Sequence, residues 1–188
     1  MRLTLQEFVS ANPYMAEGGW RQELVRGEVR TLPPPAETAY LRGFTLAAAL
    51  AACVRRAKVS ARVETGGGIG VPGEDGDDFR VADVVIGLPD RSGKRHEAAL
   101  AAFVVADADR LDEAAADRVE VFRRARTLKD VLVFSASEPV CRAYRRLGPD
   151  WSEELHRGAE ALVRPGAIRA TLSMLSVYPE LEPPAEEG

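Results

Sequence analysis

Arg80-Val81-Ala82-Asp83-Val84-Val85-Ile86, followed after a polar loop by Leu100-Ala101-Ala102-Phe103-Val104-Val105-Ala106, is the stretch from which the fold is read. β-Branched residues crowd the first segment, and Gly87 and Pro89 end it, so it reads as a strand. The second segment is continuously apolar, as is Val131-Leu132-Val133-Phe134 farther on. A strand with one face in water alternates apolar and polar residues, whereas a strand covered on both faces does not. Both runs therefore predict interior strands, with Val104, Val105, Leu132 and Val133 buried. Asp83 interrupts this pattern. An ionised carboxylate among valines must be paired, metal-bound or at the exposed end of the sheet, because burying it alone costs too much.

The segments on either side supply the covering layers. Glu37 to Ala57 is alanine-rich, with Leu41, Phe44, Leu46, Leu50 and Val54 spaced among small residues, and predicts a helix that packs closely on a sheet. Glu113 to Arg126 predicts a second helix, capped by Asp109 or Asp112, with Ala115, Val119 and Phe122 on its buried stripe. Near the N-terminus, Thr4-Leu5-Gln6-Glu7 forms a capping box for a helix over Leu5 to Ala11, which Asn12-Pro13 should stop. Gln22–Val25 and Glu28–Leu32 flank Arg26-Gly27 as a hairpin, closed by three prolines. Val59–Val63 predicts a strand, the glycines at 66, 67, 68 and 70 a mobile hairpin tip, and Pro72 to Asp78 an acidic loop. Val140–Tyr144 and Trp151–Leu155 have hairpin spacing, and Ile168 to Tyr178 is a last apolar element. The simplest architecture is an α/β fold: one central mixed sheet, an N-terminal hairpin, and helices on both faces.

Composition narrows the classes. A chain of 188 residues that is 46% hydrophobic can bury a full core without disulfides or metal. We expect one domain over residues 1–181 and a disordered tail over 182–188, where prolines and glutamates gather. Cys53 and Cys141 are too few for a disulfide framework and have no metal-site spacing. The longest apolar run, Phe44 to Val54, is far shorter than the roughly 20 residues of a membrane span. A cytoplasmic protein with no membrane partner is expected. A net charge of -4 provides no global field toward nucleic acid, although such enzymes often confine positive charge to a cleft.

The order of segments adds a resemblance. QELVRGEVRTLPPP, a long helix, RVADVVI, LAAFVVA, ADRVEVFRRARTLKDVLVF and VCRAY together resemble the putative restriction endonuclease family of the PD-(D/E)xK nuclease superfamily, over roughly Leu3 to Tyr178. The resemblance implies a restriction-endonuclease-like fold, DNA as the substrate, homodimers, and Mg²⁺ held by acids on adjacent strands. There the metal activates a water while a lysine supports the developing charge. Glu23 and Gly27 match the family's hairpin Glu and Gly, and Asp83 its Pro-Asp, with Ala82 in place of the proline. The second acid falls on Val104 or Ala106. Arg118 stands near the expected lysine and keeps the charge, but it cannot readily release a proton. Phe122 replaces a tyrosine, and the expected histidine has no counterpart among Thr38, Ala39 and Tyr40.

Two expectations follow. The first is a nuclease-fold protein whose catalysis is impaired by loss of the second metal-binding acid. The second is an active Mg²⁺-dependent DNA endonuclease in which Asp107 has taken over that role beside Asp83, with Arg118 and Glu23 in support. Against the second, Asp107, Asp109 and Asp112 also read as loop and cap residues before a helix. The basic run Arg118, Arg123, Arg124, Arg126 and Lys129 reads as a solvated face balanced by Glu113, Asp117 and Glu120, or else as a phosphate-contacting patch. His96 and His156 lie in polar surroundings and make poor catalytic candidates.

Overall fold

The computed structural model describes residues 2–11, 20–89 and 99–182. Expectations for Asn12-Pro13, for the loop over 90–97 with His96, and for the tail beyond Glu182 lie outside the described residues. Helix α1 (Leu5–Ala11) begins at the capping box, where the Thr4 amide donates to Glu7 Oε2 at 2.8 Å and the Glu7 amide to Thr4 Oγ1 at 3.3 Å. Strands β1 (Arg21–Val25) and β2 (Glu28–Leu32) form the N-terminal hairpin. Arg26 and Gly27 both have positive φ, 51° and 81°, the mirror-image turn that suits the twist of a two-residue hairpin. Helix α2 (Glu37–Arg56) follows the prolines.

The centre of the molecule is one long antiparallel ribbon bent in the middle. Its first arm is β3 (Arg62–Thr65) then β4 (Gly68–Val71); its second is β5 (Asp78–Val81) then β6 (Val84–Gly87). Pro72 to Asp77 connects the arms. The outer half, β4 with β5, joins the hairpin in a four-stranded sheet of order β2-β1-β5-β4. The inner half, β3 with β6, belongs to a six-stranded sheet that continues through β7 (Ala99–Val105), β8 (Asp130–Phe134), β9 (Val140–Leu147) and β10 (Asp150–Arg157). Within this mixed sheet, β7 and β8 run parallel and the other neighbours antiparallel. At the bend the Gly66 amide donates to the Asp83 carbonyl and the Ala82 amide to the Gly67 carbonyl, each at 2.9 Å.

This corrects two sequence-based expectations. Arg80–Ile86 is two strands in two sheets, so Asp83 sits at the corner and not within one strand of a single sheet. The glycine run is the inner side of that corner, whereas the acidic loop forms the hairpin tip. Close approach explains these glycines: a Cβ at Gly68 would stand 2.0 Å from the Phe79 ring, and one at Gly67 would stand 2.6 Å from Val85.

Helices cover both faces of the six-stranded sheet, as its continuous apolar runs require. Val84, Ile86, Phe103, Leu132 and Phe134 face α2 and the C-terminal segment. Val85, Ala102, Val104, Val131 and Val133 face α3 (Glu113–Arg124), which the Asp112 carboxylate caps by accepting the Ala115 amide at 2.7 Å. Phe8 of α1 packs with Leu24, Phe79 and Val81 in a smaller cluster. After β10, short strands β11 (Leu162–Val163) and β12 (Leu172–Ser173) and helix α4 (Met174–Val177) return the chain to α2. Tyr178 closes that contact: its ring is buried beneath the Arg42 guanidinium at 3.9 Å, and its hydroxyl donates to the Ser135 carbonyl at 2.7 Å. Among the described residues, no helix is long and apolar enough to cross a membrane.

Candidate functional site

Where the two sheets meet, charged side chains from β1, β5, the Asp83 corner and α3 form a layer between apolar clusters. Alternation along β1 turns Arg21 and Glu23 the same way, and both are buried. Arg21 Nη1 donates to Asp83 Oδ1 at 3.1 Å. The other oxygen, Asp83 Oδ2, accepts the Val105 amide at 2.8 Å and lies 3.8 Å from Arg118 Nη1. One carboxylate therefore holds the corner of the ribbon to the end of β7.

Glu23 forms a second knot. Its Oε1 accepts the Val81 amide at 2.9 Å and its Oε2 accepts Arg80 Nη1 at 3.1 Å. Arg80 also donates to Asp117 on α3 and lies 3.7 Å from Asp78 Oδ1. Asp78, itself buried, receives the Arg26 amide at 3.2 Å and Arg124 Nη2 at 2.5 Å. Four carboxylates, Glu23, Asp78, Asp83 and Asp117, thus meet four guanidinium groups, with Arg21 and Arg118 on Asp83, Arg124 on Asp78, and Arg80 shared by Glu23, Asp78 and Asp117. The layer carries no surplus negative charge.

Beside it lies a polar cleft of about 830 Å³, whose walls include Glu23, Arg26, Arg30, Arg80, Asp117 and Arg118. On the other side of the corner, Arg21 and Asp83 form the floor of a more apolar groove of about 700 Å³ walled by Tyr40 and Phe44.

Of the residues expected from sequence, Asp83, Arg118 and Glu23 fall in this layer. Asp107 is exposed, and its Oδ1 accepts the amides of Asp109 and Arg110, each at 3.0 Å, so it serves its own turn. Arg142 fastens that turn by donating to the carbonyls of Ala108 and Asp109 at 2.8 Å. Mg²⁺ takes hard oxygen ligands in octahedral geometry and commonly one or two carboxylates. The donors present do not suit it: both Asp83 oxygens already accept hydrogen bonds, the facing strand offers Val104 and Val105, and guanidinium groups stand where a cation would. Among the described residues, no group of three His, Cys, Asp or Glu side chains is placed to hold a metal.

The basic run of α3 disperses. Arg118 and Arg124 enter the ion layer, and Arg123 lies over the rings of Tyr144 and Trp151 at 5.5 and 5.7 Å. His156 lies 3.5 Å from the carboxylate of Glu154 on an exposed strand. Sequence reading missed Arg21 and Arg80, the buried cations that two strands of the four-stranded sheet bring to this layer. Their signal was present: a charge within a strand that must be covered requires an opposite charge from another strand.

The chain matches no protein-family model, and no curated protein matches it in sequence. Its fold is similar to the crystal structure of a "putative nuclease belonging to DUF820" from Anabaena variabilis ATCC 29413. The TM-score is 0.68 over 94% of this chain and 98% of that one, at 14% sequence identity. That likeness is one of fold alone: a mixed α/β architecture with a central mixed sheet flanked by helices.

Proposed function

We propose that this chain is a nuclease-fold protein of the PD-(D/E)xK lineage that has exchanged its metal site for an arginine-neutralised ion layer and acts without hydrolysing DNA. The observation that carries the reading is the pairing of Asp83 with Arg21, the Val105 amide and Arg118. A divalent cation gains from a site with unbalanced negative charge, and here each carboxylate of the layer already has its counter-charge. The neighbouring cleft, where Arg2, Arg26 and Arg30 stand among Glu28, Asp112 and Glu113, is the surface we assign to a phosphodiester backbone, with a homodimer as the assembly the reading expects. Contacts of that kind are few and weaken with salt.

The test is cleavage of supercoiled plasmid and single-stranded DNA by purified protein with Mg²⁺ or Mn²⁺. Activity should equal that of a mock preparation, and millimolar Mg²⁺ should leave the melting temperature unchanged. Metal-dependent nicking that Asp83→Ala and Asp107→Ala each abolish would overturn the reading in favour of a working endonuclease that uses those two acids.

A further inference from the structure

Arg145, Arg164 and Arg169 line a pocket of about 450 Å³ together with Pro165, Gly166 and Thr171. It lies far from the ion layer. Asp130 opens β8 opposite Ala101 at one end of the parallel pair, whereas Val105, which holds Asp83, pairs with Phe134 at the other. Four residues at about 3.3 Å each separate the two regions by roughly 13 Å along the strands.

The loop that carries the pocket is pinned from beneath. The buried Asp130 carboxylate accepts the Ala167 amide at 2.8 Å and lies 3.6 Å from Arg145 Nε. Arg145 Nη2 donates to the Arg164 carbonyl at 2.5 Å, and Ile168 is fully buried in the core. With Ile168 anchored, the next residue turns the chain back at φ 48°, a left-handed conformation that an arginine adopts only when its surroundings impose it.

The charges do not cancel here as they do in the ion layer. Asp130 is the acid beneath the pocket, and the Ala167 amide and Arg145 already engage it. The side chains of Arg164 and Arg169 have no acceptor among the described residues. Guanidinium groups on an ordered frame present forked N–H donors that match the oxygens of a phosphate.

We propose that this pocket binds a phosphate-type oxyanion. The proposal is independent of any role at the ion layer. The phosphate arrives as the free ion or as the head of a small phosphomonoester.

The experiment is calorimetric titration of the purified protein with inorganic phosphate, at constant ionic strength set by chloride. Wild type, Arg164→Gln and Arg169→Gly are compared. Wild type should bind saturably at one site, and each variant should bind about tenfold more weakly, the loss expected for one charge-assisted hydrogen bond. Arg169→Gly also serves as a folding control: glycine accepts the positive φ, so its melting temperature should equal or exceed that of wild type. A parallel titration with ribose 5-phosphate separates the sources: tighter binding assigns the pocket to a monoester, and equal or weaker binding assigns it to the free ion. Absence of saturable wild-type binding, or wild-type affinity in both variants, would overturn the proposal.

Discussion

Replacing Arg80 with methionine removes the cation that Glu23, Asp78 and Asp117 share while keeping most of the side chain's volume. Arg80 and Glu23 are both buried, 7% and 1% exposed, so solvent screens little of their interaction. Removing one member of a buried pair leaves an uncompensated charge and costs about 3–5 kcal/mol. Asp117 is half exposed and regains water, and Asp78 retains Arg124, so most of the loss falls on Glu23. Restoring neutrality should recover most of it. In Arg80→Met with Glu23→Gln, the amide oxygen can still accept the Val81 amide, and the residual cost should fall to about 1–2 kcal/mol, one or two imperfect hydrogen bonds. Urea denaturation followed by tryptophan fluorescence reads both variants. With a slope of about 2 kcal/mol per molar, Arg80→Met should shift the midpoint down by roughly 2 M and the double variant by less than 1 M. A loss under 1 kcal/mol for Arg80→Met, or a double variant no more stable than the single one, would refute the view that the layer is held by matched charges.

Other perturbations test the core and the C-terminal loop. Leu132→Ala truncates a side chain that is 1% exposed in the cluster under α2 and the C-terminal segment, and should cost about 2–5 kcal/mol in the same assay; a loss under 1 kcal/mol would place β8 at the surface. Burial raises the Asp130 carboxyl above its ordinary 3.8, against the lowering effect of the Ala167 and Gly166 amides and Arg145. The folded state therefore binds this proton more tightly than the unfolded chain, and the contribution of Asp130 to stability declines as pH rises from 3.8 through the raised value. Asp130→Asn should flatten the stability profile in that window, measured by urea titrations at stepped pH; an unchanged slope would contradict it.

The elements legible in the sequence were those with local causes. The capping box places α1 at Leu5–Ala11, and Arg26-Gly27 sets the first hairpin. The alanine-rich run gives α2, and the absence of alternation in Val131–Phe134 forecasts burial on both faces. The corner at Ala82–Asp83 was not legible. Nothing between Arg80 and Ile86 breaks a strand; the bend arises because the glycines across the ribbon let Phe79 and Val85 come close from the partner arm. The site was legible in part for the same reason. Asp83, Glu23 and Arg118 stand out one at a time, but their partners Arg21 and Arg80 become visible only once distant strands are brought together.

The bent ribbon also bears on how the molecule comes apart. Because β4 with β5 and β3 with β6 are successive halves of the same two arms, one continuous ribbon joins the two sheets. Fraying the four-stranded sheet unzips the ladder that feeds the six-stranded one, and the ion layer spans the crease between them. Independent melting units require a boundary crossed by few contacts, and the ribbon removes that boundary. Heating should therefore give a single calorimetric transition, with amides of β1 and β8 exchanging their slowest hydrogens through the same global opening.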